Sequence, residues 1–147
     1  MSMRIMLDTN ILISGMVFRG PERRLLEVIH QHRLTLVINS YIVEETKEIL
    51  RRKFPAHVLA FDKLLSLLNV EYIPMPSPAS LAKVRPIIRD PKDAVILASA
   101  IEARPDIFVS GDLDLHTPEV GSLIEVMTTI EVLKHLNRSY PVGHNQS

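Results

Sequence analysis

Acidic side chains lie at four places where predicted strands or helices begin or end. They are Asp8, the pair Glu44 and Glu45, the pair Asp90 and Asp93, and the pair Asp112 and Asp114. Such carboxylates repel one another unless a cation lies between them. Oxygen ligands of this kind select Mg²⁺ or Mn²⁺. Acid clusters that hold one or two such ions are typical of phosphodiester chemistry.

Each acid also has a purely structural explanation. Asp8 could cap the helix that follows it. Asp90 fits a helix cap closely, because Pro91 follows it and an acid lies three positions on. Asp112 could close a turn through its own side chain. Taken singly these explanations are the better ones, but the convergence of all the acids favours a metal site.

The elements that would position these acids alternate along the chain. Short apolar runs predict strands at residues 4–7, 34–38, 72–73, 107–110 and 124–127. Helical periodicity predicts helices at 21–32, 40–50, 55–68 and 93–104, with a last short helix to about residue 136. This order predicts an α/β fold with a mostly parallel sheet flanked by helices. Functional groups then gather at the carboxyl ends of the strands, where Asp8 and Asp112 lie.

Composition limits the class of protein. The chain has 147 residues, 46% of them hydrophobic and 23% charged, which is typical of one soluble globular domain. We expect this domain to span residues 1–136, with a polar, frayed tail at 137–147. No apolar run is long enough to cross a membrane, and the N-terminal residues lack the apolar core of a signal peptide, so a cytoplasmic protein is expected.

Charge and cysteine content exclude further classes. The 17 basic and 17 acidic residues sum to zero, so no global basic field indicates nucleic-acid binding. Local arginines, namely Arg19, Arg23 and Arg85, are the candidate contacts to a phosphate backbone. The absence of cysteine excludes disulfides and thiolate chemistry. The sequence has no paired histidine motif, so a zinc site is not predicted. His116 is expected to be a surface loop residue that could touch a phosphate.

Four motifs in order resemble the PIN domain family, in particular its branch of toxins from toxin–antitoxin pairs. They are Ile5-Met6-Leu7-Asp8-Thr9-Asn10, the segment from Ser40 through Glu45 to Leu50, Asp90-Pro91-Lys92-Asp93-Ala94 with the run to Ala98, and Val109-Ser110-Gly111-Asp112-Leu113-Asp114. The resemblance covers residue 3 to about residue 135. It implies a PIN-like three-layer domain with a five-stranded sheet and a metal-dependent site for single-stranded RNA.

The resemblance also implies roles for individual residues. The catalytic acids would be Asp8, Glu45, Asp93 and Asp112, with Asp8, Asp93 and Asp112 as metal ligands. The supporting residues would be Asn10, Ser110, Asp114 and Glu44. Glu45 is preferred to Glu44 because its spacing to Leu50 fits the family pattern. Asp93 is preferred to Asp90 because the Asp-Ala motif begins there.

The leading hypothesis is therefore a divalent-metal-dependent endoribonuclease using one or two Mg²⁺ or Mn²⁺ ions. The toxin branch implies a small antitoxin partner and a homodimer. One alternative is a phosphohydrolase with Asp8 as an aspartyl nucleophile, although the second acid that it needs is Asn10 here. The other alternative is a non-catalytic module that binds RNA or protein on the same fold, against which the complete acid set argues.

Overall fold

The computed structural model describes residues 2–140. In chain order the elements are β1 (Arg4–Leu7), α1 (Thr9–Val17), α2 (Pro21–Gln31), β2 (Thr35–Ile38), α3 (Ser40–Lys53), a 3-10 turn (Pro55–His57), α4 (Val58–Leu67), β3 (Asn69–Tyr72), α5 (Pro78–Val84), α6 (Pro91–Ala103), β4 (Ile107–Val109), a second 3-10 turn (Leu113–Leu115), α7 (Pro118–Gly121), β5 (Val126–Met127) and α8 (Thr129–Ser139). Within residues 2–140, no helix is both long and apolar enough to cross a membrane.

The five strands form one parallel sheet in the order β3-β2-β1-β4-β5. The predicted α/β fold with a parallel five-stranded sheet is thus confirmed. In the central strand, Ile5 is paired with Leu36 on one side and with Ile107 on the other. The chain fills the sheet outward from β1 to β3 and then crosses back to β4. The carboxyl ends of β1 and β4 therefore form the switch point at which α/β sheets place their sites.

The sheet is buried on both faces. Ile5, Met6 and Leu7 are successive residues of β1 that point alternately to opposite faces, and all three are fully buried. Helix α6 is buried continuously from Ile96 to Ala100, as expected for a helix covered on more than one side. Packing of this kind fixes the strand ends, and so the positions of the acids that follow them.

Helices α1 and α2 approach each other closely at Gly15. A Cβ atom at this position would lie 2.5 Å from Leu26 Cδ1 and 2.9 Å from the Glu22 carbonyl oxygen. Arg23 closes the corner, because its guanidinium donates to the carbonyl oxygens of Gly15 and Met16. These bonds satisfy carbonyls at the end of α1. Arg23 is therefore a structural residue, whereas the sequence offered it as a contact to a phosphate backbone.

Two elements differ from the sequence predictions. Strand β3 begins at Asn69 instead of residue 72, because it pairs with all of β2 as a half-exposed edge strand without an apolar run. The proline-rich connection, predicted to be a spacer, contains α5. Ser77 accepts a hydrogen bond from the Ser80 amide and Pro78 occupies the first helical position, so this proline starts a helix.

Helix α8 continues to Ser139, three residues beyond the predicted domain boundary at residue 136. Thr128 and Glu131 form a capping box at its start. At its end, the rings of Tyr140 and His32 lie 4.7 Å apart, centre to centre. Residues 137–139 of the predicted tail therefore belong to the helix, and residues 141–147 lie outside the described part of the chain.

Candidate active site

Asp8 lies at the junction of β1 and α1 and is 5% exposed. Its Oδ1 accepts a hydrogen bond of 3.0 Å from the Ile11 amide, so it does cap α1. Its Oδ2 accepts a hydrogen bond from the Ser110 hydroxyl at the end of β4. Burial raises the pKa of Asp8, the bonds from Ser110 and Ile11 oppose this, and the charges of Asp112 and Glu45 raise it further. The two predicted strand-end motifs therefore meet.

Ser110 joins two of the predicted acids. Its buried hydroxyl donates to Asp8 and accepts a hydrogen bond of 3.0 Å from the Asp112 amide. Ser110, which was expected to support the site, thus makes hydrogen bonds to both Asp8 and Asp112. Asn10, the other expected supporting residue, is exposed and lines the same cavity as Asp8.

Asp93 and Asp112 face each other across the site. Asp93 is an acid of the first turn of α6, and Asp90 caps that helix through a 2.9 Å bond from the Lys92 amide, as the sequence predicted. Burial and the close approach of Asp112, together with the charges of Asp90 and Asp8, raise the pKa of Asp93 to about 7. Asp93 therefore binds a proton more tightly than an ordinary aspartate, and a cation at this position would relieve the repulsion in its place.

Asp114 joins this pair through the second 3-10 turn. Asp112 caps the turn, because its Oδ1 accepts a hydrogen bond of 2.9 Å from the Asp114 amide. One carboxylate oxygen from each of Asp93, Asp112 and Asp114 lies within 4.8 Å of the other two. We call these three residues the aspartate cluster. The turn thus places Asp114, which was predicted to be a supporting residue, close enough to Asp93 and Asp112 to bind the same metal ion.

Glu45 enters the site from α3, whereas Glu44 is exposed. Glu45 lines the cavity and its Oε1 accepts a hydrogen bond from the Thr9 hydroxyl. Thr9, for which the sequence predicted no role, is buried directly after Asp8. Its position next to Asp8 was visible in the sequence, but its partner 36 residues away was not.

His116 also has a position that the sequence did not predict. It is half-buried, and its Nε2 donates to the Ser110 carbonyl oxygen at 2.6 Å. Because a carbonyl only accepts, Nε2 carries the proton. His116 therefore supports the end of β4 from behind and is not the surface loop residue that was expected.

The acids surround one open cavity of about 190 Å³. Among its lining residues are Asp8, Thr9, Asn10, Glu45, Asp93 and Asp112. A larger groove of about 310 Å³ runs between α2 and α4, but its lining is mostly apolar and holds no acid cluster. The smaller, polar cavity is the one whose side chains can do chemistry.

The donor set of this cavity fits a divalent cation. The ion pairs among residues 2–140 join Arg4 to Glu71, Lys47 to Asp62 and Arg52 to Glu48, and so none of them neutralises a site acid. All the candidate ligands are carboxylate oxygens, which hard cations such as Mg²⁺ and Mn²⁺ prefer. Burial first, and then the neighbouring acids Asp112, Asp90 and Asp8, raise the pKa of Asp93, and a bound cation would offset the effect of these acids.

Comparisons with known proteins identify relatives of this fold. A family profile described as "PIN domain" matches residues 4–114. VapBC2 from Rickettsia felis, solved bound to a DNA fragment from its promoter, has a TM-score of 0.66 at 19% identity and covers 86% of this chain and 98% of its own. FitAcB from Neisseria gonorrhoeae has a TM-score of 0.61 at 16% identity, covering 86% and 98%.

PAE2754 from Pyrobaculum aerophilum has a TM-score of 0.64 at 14% identity and covers 94% of this chain and 99% of its own. At these identities the similarity establishes the fold. No curated protein matches the sequence.

Proposed function

Because the chain belongs to the PIN domain family, whose members are generally nucleases, we propose that it is a divalent-metal-dependent endoribonuclease acting on single-stranded RNA. The observation that carries this proposal is the convergence of Asp8, Glu45, Asp93 and Asp112 on one cavity. Lys92 also lines this cavity, but none of the ion pairs among residues 2–140 involves one of the four acids. A single strand fits an open cavity of this kind, because its backbone can bend to bring one phosphate against the acids.

We assign Mg²⁺ or Mn²⁺, as one or two ions, to Asp8, Asp93 and Asp112, with Asp114 beside them. When bound, such an ion lowers the pKa of a water molecule and stabilises charge on the phosphate oxygens. The chain's own residues supply orientation. The hydroxyl of Ser110 and the amide of Ile11 hold both oxygens of Asp8 in place, and this restraint keeps the ligand geometry fixed.

Glu45 is suited to act as the general base that accepts a proton from the attacking water. Thr9 holds its Oε1, which fixes the carboxylate and leaves Oε2 to accept a proton in the cavity. The aspartyl-nucleophile alternative fits less well. That chemistry needs a second acid two positions after the nucleophile, and the residue there is Asn10.

The biological role that we propose is the toxin of a toxin–antitoxin pair. Its support is that VapBC2 and FitAcB, two of the similar structures, are toxin–antitoxin complexes. A small antitoxin protein would then be the partner, and a cytoplasmic homodimer the expected form. Co-expression with the product of a neighbouring small gene, followed by size-exclusion chromatography, tests both the partner and the oligomeric state.

The activity is tested with a labelled single-stranded RNA in Mn²⁺, with a chelator as the blank. Asp8→Asn changes a ligand's charge with little change in volume, so it should abolish cleavage while the fold is kept. Glu45→Gln should reduce cleavage strongly, and the adjacent Glu44→Gln is the matched control that should not. Activity of Asp8→Asn within a few-fold of wild type would refute the assignment. A larger loss of cleavage in Glu44→Gln than in Glu45→Gln would refute the choice of Glu45 as the catalytic acid of α3.

A further inference from the structure

The second 3-10 turn carries an exposed leucine directly after Asp112, which lines the acidic cavity. Leu113 lies between Asp112 and Asp114 and is 83% exposed, whereas Leu115 two positions later is 1% exposed. The turn therefore uses one leucine for the core and presents the other to solvent. Both neighbours of Leu113 are members of the aspartate cluster, so any molecule bound at the cluster lies beside this side chain.

An aromatic residue lies one helical turn before Glu45, another acid of the cavity. Tyr41 precedes Glu45 by one turn of α3, and this spacing places both on the same face of the helix. Its ring is half-buried against the core. Burial first, and then the charges of Glu45, Asp90 and Asp93, raise the pKa of the Tyr41 hydroxyl. Tyr41 is thus one helical turn from Glu45, and Leu113 directly follows Asp112, so the two side chains lie beside two different acids of the cavity.

Electrostatics alone do not explain how nucleic acid would bind here. The chain has as many acidic as basic residues, and the site itself is a cluster of acids. Bound ions could attract one phosphate, but long-range attraction to the rest of the backbone is weak. Contacts to the flat faces of unpaired bases are the other general source of affinity for a single strand. In a duplex those faces are stacked and paired, and so they are not available.

We propose that Tyr41 and Leu113 contact the bases on either side of the scissile phosphate and so select single-stranded nucleic acid. This inference rests on the proposed nuclease function. It assigns to the chain two binding residues that hold no metal and take no part in the chemistry. The aromatic ring supplies a stacking surface, and the leucine supplies an apolar contact that also separates adjacent bases.

The experiment compares the wild-type protein with Tyr41→Leu, Tyr41→Phe and Leu113→Ala. Leu59→Ala is the matched control, because Leu59 is exposed to the same degree (82%) on α4. Each protein is assayed on a single-stranded RNA oligonucleotide whose cleavage position has been mapped. It is assayed again on the same oligonucleotide made abasic at the two nucleotides flanking that position. Cleavage gives kcat/KM, and fluorescence anisotropy gives Kd.

On the intact oligonucleotide, we expect Tyr41→Leu to lower kcat/KM about 10-fold and Leu113→Ala about 3-fold, mainly through KM. Tyr41→Phe keeps the ring and should remain near wild type, as should Leu59→Ala. On the abasic oligonucleotide, the wild-type kcat/KM should be lower than on the intact one. The kcat/KM values of Tyr41→Leu and Leu113→Ala should then be close to that of the wild type. The Mn²⁺-induced rise in melting temperature should be the same in Leu113→Ala and wild type, since the cluster is intact.

The proposal would be overturned if Tyr41→Leu and Leu113→Ala lowered kcat/KM, relative to wild type, by the same factor on the intact and on the abasic oligonucleotide. The two residues would then not act through the bases. Unchanged kcat/KM in both Tyr41→Leu and Leu113→Ala, in a wild-type protein that cleaves RNA, would overturn this inference and leave the nuclease function standing. A wild-type protein that cleaves neither oligonucleotide would refute the nuclease function. In that case equal Kd values for the intact and abasic oligonucleotides would refute the base contacts as well.

Discussion

Replacing Asp93 by asparagine removes one negative charge where the acids approach most closely. In the folded protein the pKa of Asp93 is raised from 3.8 to about 7. Because the folded state binds this proton more tightly than the unfolded chain, the group favours folding below about pH 4. That contribution is lost as the pH rises through about 7. Asp93→Asn removes the pH-dependent loss.

The size of the effect follows from the same pKa. The rise from 3.8 to about 7 corresponds to an upper bound of about 4 kcal/mol at high pH. Because Asp93 is only half-buried, solvent screening reduces this to about 1–2 kcal/mol. An acid near a helix N-terminus is itself worth about 0.5 kcal/mol, which asparagine loses. The net gain at pH 8 is therefore about 1 kcal/mol, or a melting temperature about 3 °C higher for a chain of this size.

Divalent metal should reduce the stability advantage of Asp93→Asn over the wild type. An ion that binds only the folded state stabilises it by RT ln(1 + [L]/Kd), which is about 1.4 kcal/mol at 10 mM Mn²⁺ if Kd is on the order of 1 mM. The wild-type melting temperature should then rise by roughly 3–6 °C. Asp93→Asn lacks one ligand charge, so its rise should be less than half as large.

The assay is thermal unfolding of both proteins at pH 5 and pH 8, with chelator and with 10 mM Mn²⁺. Glu44→Gln is the control for loss of one acid from the same region, and it should keep the full metal-induced rise. Without metal, the advantage of Asp93→Asn should be smaller at pH 5 than at pH 8, because much of the wild-type loss occurs only as the pH rises from 5 through about 7. An undiminished metal-induced rise in Asp93→Asn would mean that Asp93 only stabilises the start of α6.

Three further substitutions test the surrounding structure. Thr9→Val removes the hydroxyl that holds Glu45, so RNA cleavage should fall about 10-fold while the melting temperature changes little, and Thr9→Ser should retain activity. Gly15→Ala places a methyl group against α2 and should lower the free energy of unfolding in urea by about 1–3 kcal/mol. Arg4→Met removes a bidentate pair to Glu71 and two bonds to carbonyl oxygens at the far end of the sheet. It should cost about 1–2 kcal/mol of stability with unchanged cleavage, whereas lost cleavage would show coupling along β1.

The buried strands and the acids could be predicted because each leaves a local pattern. A fully buried parallel strand is an apolar run, and β1, β2 and β4 are all of this kind. An acid within a few residues after such a run lies at the carboxyl edge of the sheet. Asp8 and Asp112 could be located on this basis, and β3 could not be bounded correctly because an edge strand needs no apolar pattern.

The hydrogen-bond partners could not be predicted because they join residues that are distant in the chain. Ser110 and Asp8 are separated by 102 positions, and Thr9 and Glu45 by 36. A serine or threonine is compatible with many positions, so its type alone names no partner. The same holds for Arg23, whose bonds to the end of α1 depend on how closely two helices pack at Gly15.

The structural and functional explanations of the acids turn out to be compatible. Asp8 caps α1 and Asp112 caps the second 3-10 turn, each through its Oδ1. A backbone amide that holds one carboxylate oxygen fixes the direction of the other oxygen, and a ligand or catalytic group needs that restraint. Finding a cap therefore does not argue against a site. What separates the two explanations is uncompensated charge, since a mere cap has no reason to face a second carboxylate as Asp93 faces Asp112.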